Sequence, residues 1–408
     1  MKKIFKGLLY ILLLVLVAMI GFFMGTTSKD SSELESIIQE DSQGANTGKV
    51  LDAGVVKKLR NIKSVIDSKF LYDYEDKQLE EGIYKGYVSS LKDIYTEYYD
   101  AEEYKALNEQ SGGEFGGVGI EVSGASEQYI EVIAPIKGTP AEKAGIKSGD
   151  KIVKIDGKEV FAKDLSDAVK TMRGEPGKEV TLTIQRVVSE KPEIIDFKLI
   201  REIIKVQSVH ANMLENNIGY IHITNFQENT AKDFFAALDK LEDDGAKKLI
   251  LDLRNNPGGL LNVTLMIADR FIAEGKIMSV KYKDGSGDSY DSNPGSDKIP
   301  MVTLINGGSA SASEVLSGAL KDHKRSEIIG EKSFGKGVVQ QVIPLGDGTG
   351  VKVTVSEYFS PNENKIHGVG VEPTIEEKLN EKATHIGPDS LAEDNQLQKA
   401  IEVLGKAE

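Results

Sequence analysis

From residue 216 onward the chain alternates short apolar runs with amphipathic stretches, and this restricts its second half to an α/β sandwich with a mixed sheet. Residues 218–223, 248–252 and 301–305 read as buried strands. Residues 230–243, 260–271 and 311–321 carry helical periodicity, and residues 327–329, 338–344 and 350–358 read as further strands. A last amphipathic helix spans 389–404, with Leu397, Ile401 and Leu404 on one face.

The densest chemistry in this half lies between residues 306 and 341. The turn Asn306-Gly307-Gly308-Ser309-Ala310-Ser311-Ala312-Ser313-Glu314 joins a strand to a helix, and Lys336, flanked by Gly335 and Gly337, follows Ser311 by 25 residues. A serine at a helix start sits among free N–H groups, where the helix dipole favours a developing negative charge. Ser309 reads as an N-cap. Lysine is an ineffective base while protonated, but burial lowers its pKa, and Phe334, Val338 and Val339 give Lys336 an apolar neighbourhood. Ser311 and Lys336 therefore read as nucleophile and base of a serine/lysine hydrolase. Gln340 would orient the amine without adding charge, while Gln341 would face the other side of its strand. Gly258 and Gly259, in the run from Asp252 through Arg254, Asn255, Asn256 and Pro257, would offer N–H groups to an oxyanion. Asp252 and Arg254 read as structural partners.

The first half divides differently. Residues 7–25 are uncharged and follow Lys2, Lys3 and Lys6. That pattern predicts a membrane anchor within residues 1–27, a single pass, and an extracytoplasmic remainder. A cleaved signal peptide is the alternative, without a convincing small-x-small cleavage site. A polar linker spans 28–48, and helical periodicity spans 49–110, through Val56, Leu59, Ile62 and Val65. The net charge of −14 argues against nucleic-acid binding, and the absence of Cys excludes thiolate chemistry. None of the five histidines stands in a zinc-binding pattern, so no metal or cofactor is expected.

Residues 111–200 contain short β-like runs at 118–122, 130–134, 151–155 and 180–186, with a helix at 165–172. Thr139, Pro140 and Gly145 mark the start and stop of a short helix, and Asp156-Gly157 marks a hairpin. Together with Gly117-Val118-Gly119-Ile120 these features resemble a PDZ domain. The resemblance implies that Gly117, Val118, Gly119 and Ile120 bind a peptide's terminal carboxylate while the peptide extends a sheet edge.

From about residue 50 to the C-terminus the chain resembles the carboxyl-terminal processing proteases, of the membrane-anchored bacterial type. The resemblance rests on residues 255–259, 309–314, 334–341 and 366–373. It implies a serine endopeptidase with Ser311 as nucleophile, Lys336 as base, Gln340 orienting the lysine, and Gly258 or Gly259 with the Ala312 N–H as oxyanion donors. It further implies a PDZ domain at 111–200 that binds substrate C-termini and gates the protease through Arg173, a protease core at 201–378, a C-terminal helical segment at 379–408, and homodimerisation through the helices within 49–110 and 389–404. Glu363 departs from the family's turn glycine, and Thr374 from its usual acid. The physiological substrate, a signalling protein among the candidates, is not legible. Two rival readings are an inactive PDZ scaffold and a Ser–His hydrolase using His323 or His367.

Overall fold

The computed structural model describes residues 52–125, 128–188 and 191–406. The expected anchor and the whole of the expected linker lie outside the described residues. Among the described residues no helix is long and apolar enough to cross a membrane.

The described residues fall into two compact units that divide between Leu79 and Glu80. In the first, α1 (Ala53–Lys69) begins where the Asp52 carboxylate accepts the Val55 N–H at 2.9 Å. Its Val56, Leu59, Ile62 and Val65 form one apolar face, yet all are exposed. The next helix, α2 (Asp76–Ser89), likewise buries no residue, and Ile83, Tyr84 and Tyr87 are exposed. Helical periodicity over 49–110 gives no sign of the strand β1 (Glu97–Tyr99) that precedes α3 (Ala101–Gly112). A capping box between Asp100 and Glu103 opens α3, and Gly113, at φ 70°, ends it.

A β-rich domain follows. Its elements are β2 (Glu114–Gly117), β3 (Ile120–Ser123), β4 (Ile130–Pro135), α4 (Pro140–Ala144), β5 (Lys151–Ile155), β6 (Lys158–Glu159), α5 (Leu165–Met172), β7 (Glu179–Val188), β8 (Lys191–Ile200) and β9 (Glu202–Lys205). The sheet runs β3-β4-β5-β7-β8, with β6 on β5, while β2 and β9 form a separate antiparallel ribbon. The expected strand at 118–122 is broken, because Gly119 takes φ 76° and only β3 continues the sheet. Ile130, Ile152, Leu182 and Ile184 are fully buried at the centre of this domain.

The remaining elements are β10 (Val209–Leu214), β11 (Ile218–Ile223), α6 (Thr230–Asp243), β12 (Lys248–Asp252), α7 (Leu261–Phe271), β13 (Gly275–Tyr282), β14 (Gly287–Ser292), β15 (Met301–Ile305), α8 (Ala312–Asp322), β16 (Glu327–Gly330), β17 (Val338–Pro344), β18 (Gly350–Phe359), β19 (Ile375–Glu376) and α9 (Asn395–Lys406). One sheet runs β10-β11-β12-β15-β16-β19, antiparallel at β10/β11 and parallel elsewhere, which is the expected mixed sheet. Both faces are covered. Leu249 and Leu251 pack with Phe234, Ile267 and Leu316 of α6–α8, whereas Ile250 packs with Leu397, Ala400 and Leu404 of α9. A second, antiparallel sheet joins β1, β18, β13 and β14, with β17 also on β18. The polar sequence of β14 hides this hairpin from the sequence. The helix α9 starts later than residue 389 because Asp394 accepts the Leu397 N–H and fixes the first turn there.

Candidate active site

The strand β15 ends at Ile305, and the turn that follows delivers Ser311 to the start of α8. Ser311 has φ 54° and ψ −114°, a conformation that costs a non-glycine residue about 1–3 kcal/mol. Neighbouring hydrogen bonds hold it. The buried Ser309 hydroxyl donates to Leu253 O at 2.8 Å and accepts the Asn306 N–H at 3.0 Å. The buried Ser313 hydroxyl donates to Asn256 O at 2.9 Å. Ser309 is thus a tie within the turn rather than an N-cap; Ser311 occupies the N-cap position. Of the three serines only Ser311 is partly exposed, and it lines a cleft of about 670 Å³.

Lys336 lines the same cleft, just before β17. Its ammonium lies 4.9 Å from the Tyr95 ring centroid. Burial pushes its pKa down, and repulsion from Lys352 adds to this; Glu314, Glu97 and Asp93 oppose the shift without reversing it. No acid stands within three residues of Lys336 in the sequence, so the fold alone brings these groups to it. Gln340 also lines the cleft, but its amide donates to Val338 O at 3.3 Å and Thr354 Oγ1 at 3.4 Å, not to the lysine. The expected orienting contact is therefore not formed in this state.

Two residues that the sequence reading leaves without a role stand at the centre. Glu314 is fully buried and accepts the N–H groups of both Ser311 and Lys336 at 2.8 Å. Its spacing of three from Ser311 is a capping-box signature, and that signal was available in the sequence. The Tyr358 hydroxyl lies 3.0 Å from Ser311 O and 2.5 Å from Lys336 O.

The glycine pair divides its tasks. Gly258 N–H donates to Asn256 Oδ1 at 2.9 Å, so it is engaged. Gly258 instead permits close approach, since a Cβ there would lie 2.8 Å from Ser311 Cβ and 3.0 Å from Ala312 N. Among the described residues the Gly259 and Ala312 N–H groups have no hydrogen-bond partner. The turn carrying the glycines is rooted in a buried network. Arg254 bonds Asp252, Asp394 and Gln396, as the structural reading of Asp252 and Arg254 expects.

In the β-rich domain, β3 is an edge strand, and the loop entering it holds Gly117, Val118, Gly119 and Ile120. The Val118 and Gly119 N–H groups have no partner among the described residues. Thr139, at the N-cap position of α4, does not cap the helix; its hydroxyl reaches Gly119 O at 3.1 Å and braces the loop. Arg173 ends α5 and stacks 4.3 Å over the Phe115 ring of β2, the strand leading into that loop.

Neither histidine of the Ser–His alternative lines the cleft. His323 lies at the opposite end of α8, where its ring bonds Lys276 O at 2.7 Å. His367 sits edge-on to Tyr95 at 6.4 Å. Among the described residues no cluster could hold a metal ion. Glu363 adopts φ 61°, which explains why a glycine suits that turn, and it compensates through a 2.6 Å pair with Lys276. Thr374 accepts the Ile328 N–H at 2.8 Å.

A model of peptidase family S41 matches residues 217–377, a PDZ domain model matches 131–186, and a model described as the N-terminal domain of the activating protease CtpB matches 14–103. The chain is 43% identical over 317 residues to a carboxy-terminal-processing protease of Bartonella bacilliformis, covering 76% of this chain and 72% of that one. It is 39% identical over 325 residues to carboxy-terminal processing protease CtpA of Bacillus subtilis, covering 79% and 69%. In fold it is similar to a crystal structure described as an S41 protease from Bacteroides fragilis, at TM-score 0.53 and 16% identity, covering 83% of this chain and 93% of that one.

Proposed function

The chain belongs to the carboxy-terminal processing serine proteases of peptidase family S41, and from that premise we propose that Ser311 is its nucleophile and Lys336 its general base. The observation carrying this reading is that the one partly exposed serine of the turn shares its cleft with a lysine whose charged form burial disfavours. Neutral Lys336 takes the Ser311 proton as Oγ attacks the scissile carbonyl carbon. The resulting oxyanion is stabilised by the Gly259 and Ala312 N–H groups at the start of α8. Collapse expels the amine, which takes the proton from Lys336, and leaves an acyl-enzyme. A water molecule, deprotonated by the same amine, then releases the acid and restores Ser311. Gln340 would turn toward the lysine when substrate fills the cleft.

The PDZ domain fits a role in capturing the substrate's C-terminus. The free Val118 and Gly119 N–H groups suit a terminal carboxylate, and the β3 edge suits an added strand. The stacking of Arg173 on Phe115 would couple that loop to the protease. The uncharged run at residues 7–25 supports a membrane tether with the protease outside the cytoplasm. The bare apolar faces of α1 and α2 support burial against a second copy of the chain.

The test is cleavage of a quenched-fluorescence peptide with apolar residues and a free C-terminal carboxylate. Ser311→Ala and Lys336→Ala should each abolish turnover, and wild-type turnover in either variant would refute the mechanism. Activity should rise with pH as Lys336 loses its proton. Because the lysine pKa lies below its ordinary value, that rise comes at lower pH than for an ordinary lysine.

A further inference from the structure

The nucleophile and the base lie on separate turns, and neither turn is held by a regular sheet or helix ladder. Residues 306–311 precede α8, and residues 331–337 precede β17. Ser311 in addition occupies a backbone conformation that would relax if released. One main-chain bond, from the Phe334 N–H to Ser309 O at 3.0 Å, ties the turns together, but it holds neither Ser311 nor Lys336 itself.

Glu314 bridges the two turns. Its Oε2 accepts the main-chain N–H of Ser311 and that of Lys336, both at 2.8 Å. Its Oε1 accepts the Ser333 hydroxyl at 2.5 Å and the Gly335 N–H at 2.7 Å. All four contacts come from donors, the set that suits an ionised carboxylate, and the side chain is fully buried. The second bridge is independent. Tyr358, on β18, is buried and sets its hydroxyl between Ser311 O and Lys336 O. One residue thus links the two N–H groups, and another lies between the two carbonyls.

We propose that Glu314 and Tyr358 are positioning residues that fix the reach of Lys336 to Ser311, Glu314 acting as an ionised carboxylate. This rests on the assignment of Ser311 and Lys336 made above. Neither residue touches the reacting atoms. Each acts through the backbone of a residue that does.

The charge on Glu314 separates this role from a merely structural one. The charged groups facing Lys336 are Lys352 from β18, Glu97 from β1, Asp93 from the segment before β1, and Glu314 from α8. The tyrosines around it are Tyr95, Tyr99 and Tyr358. Glu314 is one of the groups that favour the protonated amine, so removing its charge moves the acid limb of the pH profile to lower pH.

The full chain is assayed with the same quenched-fluorescence peptide, and folding is checked by far-UV circular dichroism. Glu314→Asp keeps the charge but shortens the bridge; kcat should fall about a hundredfold, the loss expected for a displacement near 1 Å, with KM and the acid limb unmoved. Glu314→Gln should lower kcat and shift the acid limb downward. Tyr358→Phe should lower kcat about tenfold or more with the acid limb unmoved. Wild-type kcat in folded Glu314→Asp and Tyr358→Phe would overturn the positioning role, and an unmoved acid limb in Glu314→Gln would overturn the charged form. Ser311→Ala and Lys336→Ala serve as controls. Should they still turn over, the catalytic assignment fails, whatever the Glu314 variants do.

Discussion

Asp394→Ala should loosen the C-terminal helix and, through Arg254, its partner 140 residues away in sequence, disable the active site. Asp394 is fully buried and accepts two bonds from Arg254, Nη1 to Oδ1 and Nη2 to Oδ2, each at 2.8 Å. It also accepts the Gly387 N–H at 2.7 Å and the Leu397 N–H at 3.0 Å, the latter opening α9. At an effective dielectric of about 20, unit charges 2.8 Å apart attract by about 6 kcal/mol, much of which offsets desolvation of the two ions. Losing one partner of such a pair costs about 3–5 kcal/mol. The low end applies, because Arg254 keeps Asp252 at 2.6 Å and Gln396 at 3.0 Å. Losing the helix cap adds about 1 kcal/mol, for a total of about 4 kcal/mol. At 1.4 kcal/mol per tenfold, that is roughly a thousandfold faster opening of α9.

The assay is hydrogen–deuterium exchange, followed by mass spectrometry on peptides from residues 395–406, alongside peptide cleavage. Turnover should fall too, since Arg254 directly precedes the turn in which Asn256 holds Gly258. Asp394→Asn keeps a cap acceptor and loses the charge, so it should fall between Ala and wild type. The same network gives an acid sensitivity. Burial alone would raise the Asp394 pKa, but the Arg254 bonds and attraction and the Gly387 and Leu397 N–H groups outweigh it and hold it low. Its contribution is therefore complete above the ordinary carboxylate range and is lost as pH falls through the depressed native value. Exchange in α9 accelerated by less than about threefold (under 1 kcal/mol), with turnover intact, would refute the argument.

Lys352→Met removes the positive charge that helps depress the Lys336 pKa and frees Glu97, to which Lys352 is bound at 2.6 Å. Both changes favour a protonated Lys336, so the acid limb of the cleavage profile should move to higher pH. Gly119→Ala places a Cβ 2.3 Å from Thr139 Cβ at a backbone φ of 76°. Titration with a labelled peptide should show loss of the preference for a free over an amidated C-terminus, while the Ser311 region stays intact.

The sequence marked those parts of the molecule whose causes are local. Helices α6 and α5 begin and end where their periodicity puts them, and so do strands β11, β12 and β15, because both faces of the mixed sheet are buried and leave continuous apolar runs. The β13–β14 hairpin was hidden because its exposed strand carries Asp and Ser and buries little. At the site, local signals brought out Ser311, Lys336 and the glycine pair, each beside a diagnostic turn. They failed wherever sheet register makes the contact. The pairing of Glu97 with Lys352 across β1 and β18 sets the charge beside Lys336, yet the partners lie 255 residues apart. Tyr358 is equally silent, an ordinary strand tyrosine until β18 is laid beside β17. Glu314 differs, since its capping-box spacing was legible and only its second allegiance, to the Lys336 turn, was not. A base that needs a depressed pKa cannot be certified from its sequence neighbours. The groups that set its charge arrive from α8, β1 and β18, and the balance among them exists only once those elements have packed.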